Sequence, residues 1–161
     1  MWEPGQVSVS YREKLGPAAW VWASAALLGG GFGLIFVPRS ELLALVVALV
    51  ATGTLAALLV RSTPQVTVLG GSLQAGRAQL PLEFSGAVEP LDAVGMRHAH
   101  GPGLDARAYL CIRGWIPTGV RVIVDDPRDP TPYWLISSRH PTLLAEAIEQ
   151  ARAEQPSATQ P

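Results

Sequence analysis

Two long stretches without a charge, separated by four residues, constrain this chain more than any other feature. No charged residue falls between Leu15 and Pro38, and the centre of that stretch, Ala18 to Val37, is 20 residues long. After Pro38-Arg39-Ser40-Glu41, a second uncharged run of 19 residues extends from Leu42 to Val60. An α-helix rises about 1.5 Å per residue, so each run has the length of a bilayer's hydrocarbon core, roughly 30 Å. A helix of a soluble protein carries polar residues along one face, and neither run has such a face. The first run is too long for a signal-peptide core and ends without a small-residue cleavage site. The pattern predicts transmembrane helices at 18–37 and 42–60.

A four-residue connection makes the pair antiparallel, so both chain ends lie on one side. Arg12 and Lys14 precede the first span and Arg61 follows the second, while Arg39 stands alone in the connection. The bias of Lys and Arg toward the cytoplasm predicts a multi-pass protein of the plasma membrane with both termini cytoplasmic. Trp20 and Trp22 suit the interface at the first span's cytoplasmic end. Gly29 and Gly33, and more weakly Gly53 and Ala57, are small residues four apart that let helices approach closely. Packing within the hairpin is the simpler use for them, and a dimer face is the other. Neither span has an ionisable residue, which argues against an ion pathway or proton relay built from these two helices.

From Pro64 the texture changes to short β-like runs divided by turn residues. Strands are predicted over Val66–Leu69, Ser72–Gly76, Ala78–Phe84, Gly86–Leu91, Tyr109–Trp115, Val120–Val124 and Tyr133–Ser137. Gly70-Gly71 marks a hairpin turn. Pro141 opens a helix whose apolar face is Leu143, Leu144, Ala147, Ile148 and Ala151. The fold class expected is α+β: a transmembrane helical hairpin followed by a small β-rich domain, in the order of a PH-like barrel, with a C-terminal helix. The corresponding organisation is a cytoplasmic N-terminal segment at 1–17, the two spans, the β-rich domain at 64–154 and a disordered polar tail at 155–161.

Several stretches resemble an uncharacterised family of actinobacterial two-span membrane proteins, known as a domain of unknown function. They are Tyr11-Arg12-Glu13, Gly76-Arg77-Ala78 with Leu80-Pro81, and Asp126-Pro127-x-Asp129-Pro130-Thr131-Pro132-Tyr133-Trp134 with Ser138-Arg139. The resemblance covers roughly positions 8 to 150. It implies membrane anchoring and no particular activity. The layout also resembles membrane-anchored bacterial PH-like domains.

Candidate chemistry is sparse. His98-x-His100 with Asp105 offers too few ligands for zinc, and the segment from Met96 to Gly103 reads as a solvated loop. Cys111 lies in an apolar strand, where a cysteine is ordinarily a small buried residue. As the one cysteine it also excludes an internal disulfide. Asp125, Asp126 and Asp129 lack the spacing of a calcium loop and suit backbone capping before proline. No phosphate-binding glycine motif occurs. No metal and no cofactor are therefore expected. Net charge is −1, and from Ser62 onward eight Arg stand against ten Asp and Glu, leaving −2. That balance predicts no nucleic-acid partner and no phosphoinositide site.

Arg113, Trp115, Asp129, Tyr133, Trp134 and Arg139 are the candidate binding residues, because Trp, Tyr and Arg are the usual anchors of interfaces. In Tyr133–Ser137 strand alternation places Trp134 and Ile136 inward and Tyr133 and Leu135 outward. The function expected is a membrane-anchored, non-enzymatic interaction or scaffold module. Its partners are the lipid bilayer and a protein or a second copy of the chain. The alternative is an enzyme or small-ligand domain using the Asp125–Trp134 loop and Arg139.

Overall fold

The computed structural model describes residues 9–154. The tail at 155–161 and the first eight residues lie outside the described part. Two compact units are present, Gly16–Thr63 and the remainder.

The first unit is a helical hairpin. Helix α1 spans Ala19–Leu34, and α2 spans Glu41–Arg61. The hydrogen-bonded turns that follow α1 carry the chain to Arg39. Its regular ladder stops before Pro38, which offers no N–H and disfavours helical backbone at Val37. Ser40 caps α2, its hydroxyl accepting from the Leu43 N–H at 3.4 Å, with Glu41 and Arg61 complementing the helix dipole. The contact face is made of small residues. A Cβ at Gly29 would stand 2.7 Å from the Thr52 backbone nitrogen, and one at Gly33 would stand 2.6 Å from the Ala44 carbonyl oxygen and the Ala48 Cβ. The two glycines thus serve the hairpin's own packing, whereas Gly53 faces open space. Large apolar side chains point outward: Leu27 is 78% exposed and Leu42 71%. By length and composition α2 can cross a membrane, and α1 is a shorter apolar helix.

The second unit is α+β, with two four-stranded sheets. Sheet one, in the order β1-β2-β3-β4, comprises Val9–Lys14, Gln65–Leu69, Ser72–Ala75 and Ala78–Pro81, all antiparallel. Gly70 and Gly71, with φ of 53° and 78°, form the two-residue turn between β2 and β3. Sheet two, in the order β5-β7-β8-β6, comprises Ser85–Leu91, Gly119–Val124, Tyr133–Ser137 and Tyr109–Cys111, with β6 parallel to β8. Helix α3 is Ala93–Ala99 and α4 is Pro141–Ala153.

One strand is absent from the sequence expectations. The segment before the hairpin, expected as a plain N-terminal stretch, is strand β1, and it pairs with β2 across the whole hairpin: Lys14 with Gln65, Glu13 with Val66, Arg12 with Thr67. The described strands therefore number eight. Other expectations change as well. The strand at Tyr109–Trp115 stops at Cys111. Ala78–Phe84 ends as a 3-10 turn over Leu82–Phe84. On α4, Leu143 is 55% exposed and Ala145 takes its place in the core.

The main core lies between the sheets and beneath α4, and it contains Val66, Val68, Leu73, Val120, Val122, Trp134, Ile136, Leu144 and Ile148. A second core of Leu91, Met96, Ala99, Tyr133 and Leu135 fills the other face of sheet two under α3. The His98–His100 segment, expected as a solvated loop, belongs to that helix and its C-cap; Asp92 caps the N-terminus through the Val94 and Gly95 N–H groups.

Candidate functional site

The six candidate residues divide among three places. Trp134 is 5% exposed, sits in the main core and packs its ring 4.4 Å from that of Tyr109. Tyr133 lies on the opposite face of β8, as alternation requires, yet it is only 9% exposed. The expectation that Tyr133 and Leu135 face outward is overturned because α3 and the chain after it cover that face. The Tyr133 hydroxyl accepts from the Asp105 N–H at 2.9 Å and donates to the Gly103 carbonyl at 3.3 Å, and the Arg121 guanidinium lies 5.9 Å above its ring.

Asp129 stays in the β7–β8 turn, where its carboxylate accepts from the Thr131 N–H at 2.9 Å; Asp126 does the same for Arg128 at 2.9 Å. The Thr131 hydroxyl and N–H lower the Asp129 pKa. Both aspartates thus close the proline-rich turn. Among the described residues, no group of three or more His, Cys, Asp or Glu side chains is placed to hold a metal ion.

Arg113, Trp115 and Arg139 come together at the other end of sheet two. Because β6 and β8 run parallel, the residues that follow them, Ile112–Trp115 and Ser138–His140, emerge side by side. The Arg113 N–H donates to the Ser137 hydroxyl at 2.9 Å. The Trp115 indole N–H donates to the Leu15 carbonyl at 3.3 Å, and the Arg139 guanidinium donates to the Lys14 carbonyl at 3.1 Å. Arg139 is six residues beyond Tyr133 along an extended chain, roughly 20 Å at the strand rise. Asp129, Tyr133 and Arg139 therefore do not converge on one pocket.

At the centre of this end stands Glu13, a residue missing from the sequence candidates. Its side chain is 10% exposed. One carboxylate oxygen accepts from the Tyr11 hydroxyl at 2.8 Å and the Ser138 hydroxyl at 2.6 Å, and the other accepts from the Arg139 N–H at 2.9 Å. The Ser138 hydroxyl in turn accepts from the His140 N–H at 3.1 Å, and the Thr118 hydroxyl donates to the Ser138 carbonyl at 2.6 Å. Burial, reinforced by the adjacent carboxylate, pushes the Tyr11 hydroxyl up to about 12. The one sequence-level sign of this network was that Tyr11-Arg12-Glu13 and Ser138-Arg139 both belong to the stretches carrying the family resemblance; they meet in space.

Cys111 is buried beside this end, and burial raises its pKa, partly offset by Arg113. A shielded thiol held neutral is a poor nucleophile. The network can fasten a strand and orient arginines, and Ser138 within it is fully buried.

These features define an α+β domain of two four-stranded sheets whose chain is interrupted, between its first two strands, by an apolar helical hairpin. The chain belongs to the family described as protein of unknown function (DUF3093), whose profile matches residues 10–148. Comparison with curated proteins and with solved structures gave no match.

Proposed function

We propose that this chain is a two-span, non-enzymatic interaction module of the actinobacterial cell membrane, with a PH-like β domain and both termini on the cytoplasmic side, where the domain binds a protein partner. One observation carries the topology. The Leu15 N–H donates to the Pro64 carbonyl at 3.1 Å, so the chain leaves β1 and returns to β2 at the same point. A single crossing would put these residues on opposite faces of a bilayer. If α2 crosses, α1 is the segment that must cross back. The exposed large apolar side chains of both helices favour lipid as their surroundings. Arg12, Lys14 and Arg61 flanking the spans, against Arg39 in the connection, favour the cytoplasm for the domain.

The interaction reading is supported by where the candidate residues went: Trp134 and Tyr133 into cores, Asp129 into a turn, Arg113, Trp115 and Arg139 to one strand end. In intact cells carrying Cys111→Ala, an impermeant thiol reagent should label Ser40→Cys and leave Leu143→Cys unlabelled. Labelling of both, or of Leu143→Cys alone, would overturn the topology. Crosslinking in native membranes followed by affinity capture should recover a partner protein. Recovery of the uncrosslinked chain alone would defeat the interaction reading, and chain-to-chain crosslinks would replace the partner with a second copy.

A further inference from the structure

The net charge of the β domain hides a strong polarisation. Ends of β1, β2, β3, β4, β6 and β8 lie where the chain meets the hairpin. Lys14 pairs with Gln65 at the ends of β1 and β2. Arg77 is exposed in the β3–β4 turn, where the neighbouring Gly76 N–H donates to the Gln65 carbonyl at 2.9 Å. Arg113 and Arg139 follow β6 and β8, fastened to Ser137 and Lys14 as described, and Trp115 stands with them at Leu15. Among the described residues two acids lie at this end: Glu13, held in its network and 3.9 Å from the Arg139 guanidinium, and Asp92, capping α3 beyond the far edge strand of sheet two; four basic side chains against these two leave this end positive. The opposite end carries Asp125, Asp126 and Asp129, with Glu83 in the 3-10 turn that the Asp125 N–H reaches at the Phe84 carbonyl. Arg128 lies in the β7–β8 turn with the three aspartates, and Arg152 is occupied at this end by the Ser85 and Gly86 carbonyls.

The basic end is also the end from which both connections to the helices start. Leu15 is four residues from Ala19, and Pro64 is three from Arg61. Extended chain of those lengths reaches at most roughly 14 Å and 11 Å. We infer that the surface formed by Lys14, Arg77, Arg113, Trp115 and Arg139 docks on the anionic phospholipid headgroups of the leaflet that the hairpin enters. This inference rests on the two-span reading. Diffuse basic charge near an anionic leaflet is attractive in proportion to the number of charges and falls off within a Debye length. Trp115 is half-buried against the main core with its N–H on the Leu15 carbonyl, and offers this surface only the exposed part of its ring. The contact is thus one of charge and depth, without selection among anionic headgroups.

The test uses the full chain in lipid nanodiscs, carrying Cys111→Ala and a fluorophore on Gly114→Cys, between Arg113 and Trp115. A nitroxide on the lipid headgroup reports approach by quenching. Quenching should be strong in discs with phosphatidylglycerol, weak in phosphatidylcholine, and reduced by salt. In Lys14→Gln and Arg77→Gln, which leave the Glu13 network intact, the ratio of docked to undocked domain should fall about fivefold per charge. Equal quenching in both lipids, or no change in the variants, overturns the inference and leaves the two-span reading standing. A chain that does not enter the discs overturns both.

Discussion

Replacing Glu13 with alanine removes the acceptor on which three donors converge, two of them from a segment more than a hundred residues away. The Ser138 and Tyr11 hydroxyls lie 2.6 and 2.8 Å from one oxygen and the Arg139 N–H 2.9 Å from the other. Hydrogen bonds to a charged acceptor contribute about 1.5–3 kcal/mol each, and they are not additive within one network. Water can reach the exposed Arg139 backbone N–H and the part-buried Tyr11 hydroxyl, whereas the hydroxyl proton of fully buried Ser138 is stranded. A loss of about 3–5 kcal/mol follows, set against a total stability of about 5–15 kcal/mol. For a domain of this size that lowers the melting temperature by about 12 °C or more. The measurement is thermal unfolding of the full chain in detergent, followed by near-ultraviolet circular dichroism. Glu89→Ala is the control, since it removes an exposed carboxylate paired with Arg121, a contact of less than about 1 kcal/mol. If Glu13→Ala melts together with Glu89→Ala, the network does not hold β1 and the reasoning is wrong.

Trp134→Ala should cost about 3–5 kcal/mol by emptying the main core beside Tyr109, while Tyr133→Phe, which keeps the ring and loses the Asp105 and Gly103 contacts, should cost about 1–2 kcal/mol in the same melts. Alkaline stability should report Tyr11. Its folded pKa of about 12 lies above the ordinary value of 10.0, so the folded state holds the proton more tightly. The stabilisation is complete below pH 10 and disappears as pH rises toward 12. Tyr11→Phe should flatten the fall in melting temperature over that window and remove the highest-pH step of the tyrosine absorbance titration; an unchanged profile would count against the assignment.

Strands β2, β3, β7 and β8 and helix α4 were legible because each carries its own periodicity and punctuation: Gly70-Gly71, the alternation of Val120-Arg121-Val122, Pro141 at a helix start. Strand β1 was not. Its six residues include Arg12, Glu13 and Lys14, and its partner follows only after the hairpin. A polar hexamer without a visible partner looks like a tail. Helix α3 has seven residues, among them Gly95 and two of the segment's charged or imidazole side chains, too short for a 3.6-residue period to emerge. Missing α3 had a second effect, because the side of β8 that it covers was assigned to solvent and Tyr133 with it. Glu13 was invisible as a hub because a lone carboxylate between Arg and Lys gives no hint that it will be buried. The candidate arginines were identifiable by type, but their convergence depends on β6 and β8 being parallel, which no local pattern encodes.

The interruption between β1 and β2 has a consequence for synthesis. β1 leaves the ribosome before the hairpin, yet its one sheet neighbour among the described residues emerges after it. Sheet one cannot be completed until the hairpin has been made and Leu15 lies back beside Pro64. Until then β2, an inner strand of the finished sheet, exposes an unpaired edge of the kind that invites aggregation. Completion of the domain thus waits on the hairpin. A fragment beginning at Pro64 would keep that open edge permanently, and would also lack the carboxylate that Ser138 requires, so a conventional soluble truncation omits a structural part of what it sets out to isolate.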